Sequence, residues 1–402
     1  MQATSDVGAQ HESTPDAGGG RGVLPAQALR RAIADGVIRA ARKIEDDQIQ
    51  PASLDLRLGS KAYRLRSSFL PGTARIRDRL GDLQVGPALD LDDREGAVLN
   101  PGHPYLIELM ERVQLPEDTR AVANPRSSTG RLDIFTRVIA ERATQFDVIE
   151  PGYEGPLWLE IYSNTFTLGV RSGLSLAQLR LSTSDDALTA AEVERLHAEQ
   201  GLVFAPGSEP RRAVEAPAIG NRGLLINVGL SNGNQYVGWR AKHHTPLLDL
   251  SKTAEYDALD FWEPVRAERG GRLVLNPDAF YLLISKEFVR IPPNVAAEMV
   301  AYDPTNGELR THYAGFFDPG FGYGDQVRGT RAVLEVRAHD VPFMLEDGQP
   351  IARLAYEYMA DPPDRLYGDS SLTSHFQRQA INLSRQFRPV ESAMTFQFLG
   401  TD

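Results

Sequence analysis

Val98-Leu-Asn-Pro-Gly-His-Pro-Tyr-Leu-Ile107 occurs a second time, as Val274-Leu-Asn-Pro-Asp-Ala-Phe-Tyr-Leu-Leu283, 176 residues further on. Val113-Gln-Leu-Pro116 returns as Val289-Arg-Ile-Pro292 at the same offset. Leu159-Glu160 pairs with Leu334-Glu335, and Gly173 with Gly348, at an offset of 175. A constant offset with small loop indels predicts two copies of one folding unit. Within each copy, short runs rich in aliphatic and aromatic residues, such as Leu54 to Gly59, Tyr105 to Leu115 and Leu157 to Ser163, are separated by Gly, Pro and Asp turns. That spacing predicts antiparallel strands in a sandwich or barrel. The expected fold is therefore mainly β, with two tandem sandwiches or barrels and a few short helices.

The flanking segments have their own signals. Residues 1–22 are rich in Gly, Ser, Thr, Asp and Gln, so they bury too little apolar surface to offset the entropy of ordering and are expected to be disordered. Pro25 to Ile38 spaces Leu29, Ile33 and Ile38 as a short amphipathic helix leading into the first strands. Thr189-Ala-Ala-Glu192 has the reciprocal capping pattern that opens a helix, which Gly201 can end. A first unit over 23–205, a proline-rich linker over 206–217, a second unit over 218–366 and a C-terminal tail over 367–402 follow.

Composition bounds the function. The 402 residues carry 42% hydrophobic side chains, enough for two cores, and a net charge of -11, which disfavours a general nucleic-acid surface. There is no cysteine, so disulfides, thiolate metal sites and cysteine nucleophiles are excluded. No apolar run approaches the roughly 20 residues of a membrane span, and no basic-then-apolar signal opens the chain. A cytoplasmic protein that binds neither membrane nor nucleic acid is expected. The adjacent His243 and His244 have no further ligand at metal spacing and are expected to be structural.

The chemistry concentrates between Asn124 and Glu160. Pro125-Arg-Ser-Ser-Thr-Gly-Arg131 offers guanidinium forks and small hydroxyls, which suit a phosphate chain. Glu150-Pro-Gly-Tyr-Glu-Gly155 is a turn, and the apolar strand after it ends in Glu160, a candidate general base. With Pro51-Ala-Ser-Leu-Asp-Leu-Arg-Leu-Gly59, these pieces occur in an order that resembles the dUTPase and dCTP deaminase superfamily, and the long, two-domain dCTP deaminases most. The resemblance spans nearly the whole chain after about residue 22. It implies dUTPase-like distorted barrels, an active site between neighbouring barrels, a homo-oligomer, and dCTP as substrate.

The two copies have diverged in complementary ways. The first keeps the Arg126-Ser127-Ser128 turn, whereas the second has acids there, in Tyr302-Asp-Pro-Thr-Asn-Gly-Glu308, which would repel a triphosphate. The second reads His312-Tyr-Ala-Gly-Phe-Phe-Asp-Pro-Gly320 before Ala332-Val-Leu-Glu335, nearer the deaminase pattern, where the first has Phe146 and Glu150 in place of Ala314 and Asp318. By resemblance, a metal-free deaminase uses a glutamate as proton shuttle, an arginine to orient it, and a hydroxyl with a backbone carbonyl to hold the water. Those roles imply Glu335 or Glu160, Arg131, Ser127 and the Ala314 carbonyl as catalytic groups. Arg126, Ser127, Ser128 and Asp318 are implied as substrate contacts. The family tail carries Tyr, Lys and Gln; here His375 stands where lysine is expected, so Arg378 and Gln379 complete the implied contacts. Mg²⁺ is expected only as companion of the triphosphate, with no zinc. A dUTP pyrophosphatase, a bifunctional enzyme and a non-catalytic nucleotide-binding regulator remain open, and so does the choice between Glu335 and Glu160.

Overall fold

The structure is a computed structural model. It describes residues 20–184, 187–207, 212–220, 223–231, 236–301, 309–311, 315–324, 329–338, 340–369 and 381–390. In the first half, seven strands form one path: Ile134–Ala140, Glu154–Ser163, Pro104–Gln114, Leu54–Arg64, Ser175–Ser182, Arg120–Pro125 and Val148–Ile149. The path curls until its ends lie side by side, giving a nearly closed barrel. In the second half, the strand Phe280–Val289 pairs Tyr236–Ala241 on one side and Thr330–Ala338 on the other. A facing sheet runs through Gly223–Asn227, Pro350–Tyr358 and Val295–Ala301. The chain is mainly β with two barrel units, as the spacing predicts.

The duplication extends to individual hydrogen bonds. Asn100 N–H donates to the Tyr105 hydroxyl at 3.2 Å, and Asn276 N–H donates to the Tyr281 hydroxyl at 3.1 Å. In the first barrel Leu106 lies opposite Glu160; in the second Leu282 lies opposite Glu335. Both glutamates therefore point to the outer face of their barrel, because side chains alternate along a strand and Leu159 and Leu334 point inward.

What covers that outer face differs between the copies. In the first barrel, Leu106, Trp158 and Ile139 are buried under the helix Ile76–Leu83, through Ile76 and Leu80. In the second, Phe280, Leu282, Ile284 and Val333 merge into the core of the first barrel. The seam continues through edge-on aromatic contacts, with Phe166 5.8 Å from Phe261 and 5.6 Å from Trp262, and Phe387 5.4 Å from Phe261. Such rings add about 0.5–1.5 kcal/mol each beyond their burial. The strand Leu168–Val170 also pairs in parallel with Leu248–Asp249 across the seam.

The helix Ala190–Gln200 forms as its cap predicts, with Thr189 accepting from Glu192 N–H and Gly201 at φ 67° after it. It buries Val193 and Leu196 in the second core, and Val203–Phe204 pairs with Phe280–Val289. We therefore place the division between the units ahead of this helix rather than at residue 205. The helix Ala26–Ala34 covers the first core with Ala26 and Leu29. The expectation of disorder falls mostly on residues 1–19, outside the described set; at its far end it is corrected, since Gly22 N–H donates to Thr183 Oγ1 at 3.1 Å and the Gly22 carbonyl accepts from Thr183 N–H at 2.9 Å.

Candidate active site

The strand Arg120–Pro125 stops at Pro125, and Arg126 enters a single helical turn, Ser127–Gly130. Arg126 N–H donates to the Leu176 carbonyl at 3.0 Å, which fixes the turn to the strand Ser175–Ser182. Gly130 faces the second barrel: a Cβ there would lie 2.6 Å from Glu335 Oε1 and closer still to Oε2. A larger residue there would have to displace that carboxylate. Asp133, at φ 58°, then reverses the chain into the strand Ile134–Ala140.

Glu335 comes to this turn because Val333, Glu335 and Arg337 share the face of Thr330–Ala338 that meets the first barrel. Its side chain is 5% exposed, and Oε2 has no hydrogen-bond partner. Burial pushes its carboxyl up to about 8, opposed by the charge of Arg131 and assisted by that of Asp133. Arg131 is also buried, which lowers it to about 10 against the pull of Glu335 and Tyr367, and its Nη1 donates to the Asn382 carbonyl at 2.6 Å. Ser127, Arg131, Asp318, Arg331, Glu335 and Tyr367 line one cavity of about 50 Å³. It has room for a water or two and is much smaller than a nucleotide.

The other substrate contacts implied by the sequence are held by partners. Arg126 pairs with Asp55 at 3.2 Å, and burial raises the Asp55 carboxyl while Arg126 and Arg385 lower it. The Ser128 carbonyl accepts from the Ser384 hydroxyl at 2.6 Å, so described tail residues dock on the turn. Asp318 is raised to about 6 by burial, with Arg180 opposing. Arg180, fully buried on Ser175–Ser182, reaches across the seam to Asp318 at 3.4 Å and to the Ala297 carbonyl at 3.2 Å, and stacks 3.9 Å over the Phe316 ring. Ala314, Arg378, Gln379 and His375 lie outside the described residues.

Glu160 is not brought to this cavity. Ser68 donates to its Oε1 at 3.0 Å, Arg137 lies at 3.5 Å, and Arg137 in turn stacks 4.8 Å over Phe146. Burial raises its carboxyl while Ser68 and Arg137 lower it. A larger cavity, about 570 Å³, is lined by Phe135, Arg137, Phe146, Asp147 and Glu298, and by none of the described residues given a catalytic or substrate-binding role from sequence. Sequence reasoning missed Arg180, a lone arginine in an apolar strand. It also missed Asp133 and its pairing with Arg337, although Arg131-Leu-Asp133 and Glu335-Val-Arg337 carry opposite charges in the same spacing.

Residues 20–185 match the family model of the 2'-deoxycytidine 5'-triphosphate deaminase N-terminal domain, and residues 189–387 that of its C-terminal domain. A crystal structure of 2'-deoxycytidine 5'-triphosphate deaminase from Agrobacterium tumefaciens superposes with a TM-score of 0.80 at 47% identity, covering 87% of this chain and 98% of that one. A dCTP deaminase of Halorubrum lacusprofundi is 32% identical over 136 residues, 33% of this chain and 63% of the relative. A dUMP-forming dCTP deaminase of Sulfurihydrogenibium is 29% identical over 167 residues, 41% of this chain and 85% of the relative. With both of its halves matched and a composite cavity between them, the chain belongs to the dCTP deaminase family.

Proposed function

We propose that the protein hydrolyses dCTP to dUTP and ammonia at the cavity between its two barrels, with Glu335 as the proton shuttle. The observation that carries this reading is that Glu335 of the second copy, and Ser127 and Arg131 of the first, line one buried cavity. Water held beside Ser127 gives a proton to Glu335 as its oxygen bonds to C4, and Glu335 passes that proton to N3. The new hydroxyl then gives its proton through Glu335 to the amino group. The C4–N bond breaks, ammonia leaves, and the C4 carbonyl forms. A carboxyl raised to about 8 suits both directions of transfer near neutral pH. Arg131 orients it and stabilises its ionised form. Glu160, whose oxygen is engaged by Ser68 and Arg137, is left outside the reaction.

The triphosphate is assigned to Arg126, Ser127 and Ser128, and a further substrate contact to Asp318, which lines the cavity with Glu335. Guanidinium and hydroxyl donors suit phosphate oxygens and not a cation. Among the described residues no three His, Asp or Glu side chains form a metal-binding group. Mg²⁺ is therefore assigned to the nucleotide as its companion, and the water is activated by the glutamate. Incubation with dCTP and Mg²⁺, with ammonia, dUTP, dUMP and pyrophosphate measured separately, tests the reading. Ammonia with dUTP supports it. Ammonia with dUMP and pyrophosphate identifies the bifunctional reaction, which the name of the Sulfurihydrogenibium relative motivates. Release of dUMP from dUTP without ammonia from dCTP refutes deamination.

A further inference from the structure

We propose that Asp133 and Arg337 form a positioning pair that holds Glu335 against Arg131 and governs its charge. This inference rests on Glu335 being the proton shuttle and adds two residues that do not touch the substrate. In the first barrel Arg131 and Asp133 flank Leu132; in the second Glu335 and Arg337 flank Val336. Leu132 is buried in the first core and Val336 in the second. The four charged side chains meet at the seam between them. Arg131 faces Glu335, and Arg337 Nη2 is ion-paired with Asp133 Oδ2.

The Asp133–Arg337 pair is built in rather than superficial. The Asp133 side chain is fully buried, and that of Arg337 is 15% exposed. Thr165 donates to Asp133 Oδ2 at 2.6 Å, and Asn164 Nδ2 donates to Oδ1 at 3.5 Å. Arg337 also reaches the Thr165 hydroxyl at 3.4 Å. Asp133 occupies the left-handed region at φ 58°, where glycine would be easier and aspartate is tolerated. The side chain is therefore what the position retains.

The charges that face Glu335 come from every element around it. Arg131 and Asp133 are contributed by the first barrel, and Arg337 by its own strand. Asp318, Arg331 and Tyr367 share its cavity. Of these, Arg131 favours the ionised carboxylate and Asp133 the protonated form. Arg337 is ion-paired with Asp133 and carries the opposite charge on the strand that holds Glu335. Breaking the pair from its two ends should therefore push Glu335 in opposite directions.

The test is the acid limb of kcat/KM against pH for dCTP deamination by the full chain. Asp133→Asn removes the negative charge and should move the limb about one pH unit lower; Arg337→Gln leaves Asp133 uncompensated and should move it about one unit higher. Arg337→Lys keeps the charge and should leave the limb near its wild-type position. If Arg337→Gln does not fold, the Asp133→Asn and Arg337→Gln double variant replaces it: loss of a neutral pair should lower kcat with little movement of the limb. A purely structural pair would lower activity in each variant without opposed shifts. An unmoved limb in Asp133→Asn, or shifts of the same sign in both single variants, overturns the proposal. Glu335→Gln separates the two readings. If it stays active, the shuttle assignment fails; if it is inactive while the limbs do not move, only the pair fails.

Discussion

Replacing Glu335 with Gln should make the protein more stable at high pH, while abolishing most of its activity. The carboxyl rises from an ordinary 4.5 to about 8 in the folded chain, mainly through burial. The folded state therefore binds the proton more tightly than the unfolded state. The group contributes nothing adverse below about pH 4.5, and stability is lost progressively as pH climbs from there toward 8. At about 1.36 kcal/mol per pH unit, the cost above pH 8 has an upper bound of about 5 kcal/mol. Asp147, raised to about 7, and Asp318, raised to about 6, act in the same direction in both proteins and cancel in the comparison. With an unfolding entropy of roughly 2.1 cal/mol/K per residue, 5 kcal/mol corresponds to a Tm change of about 6 °C in a chain of this length. Thermal unfolding followed by circular dichroism should show near-equal Tm values at pH 5 and a variant more stable by up to about 6 °C at pH 9. A difference that does not grow between pH 5 and 9 would falsify the burial argument, because glutamine cannot reproduce a proton-linked term.

Arg126→Ala should raise KM for dCTP about 10- to 100-fold, corresponding to a charge-assisted contact of about 1.5–3 kcal/mol, and should affect deoxycytidine far less. Equal losses for both ligands, from steady-state kinetics, would remove the phosphate role. Gly130→Ala forces a Cβ onto the Glu335 carboxylate, so kcat should fall at least tenfold with little change in the far-ultraviolet circular dichroism spectrum; unchanged kcat is the contrary result. Glu160→Gln should leave kcat within a few-fold of wild type, whereas Glu335→Gln should lower it about 10²–10⁴-fold with nucleotide binding retained. Mixing Arg126→Ala and Glu335→Gln chains should restore no activity, since the site closes within one chain, and recovery on mixing would place it between chains. Activity should also withstand exhaustive zinc chelation once Mg²⁺ is returned, and a loss that only Zn²⁺ reverses would require another water-activating group.

The repeated Asn-Pro turns were sufficient to read two barrels, because the same backbone-to-tyrosine hydrogen bond recurs in both copies. The Arg126 to Arg131 turn, Glu335 and Glu160 were legible as candidate chemistry, but which of the two glutamates meets the turn was not. Trp158-Leu-Glu160 and Val333-Leu-Glu335 have the same alternation, and local pattern fixes which face a side chain takes without saying what covers that face. The deciding residues are remote in sequence: Ser68 and the helix Ile76–Leu83 in one case, and Gly130 with Arg131 in the other. Arg180 escaped notice for the same reason, since its partners Asp318 and Phe316 lie on the other barrel.

The aromatic seam of Phe166, Phe261, Trp262 and Phe387 has a consequence for heredity. In a ring of identical barrels, any substitution appears on both sides of every interface, so a change that improves one side is imposed on the other. Here the two sides are encoded separately and held together by the seam, and each can vary without being copied to its counterpart. The fused chain can thus keep a cavity at the outer face of one copy while the equivalent face of the other is packed under the helix Ile76–Leu83.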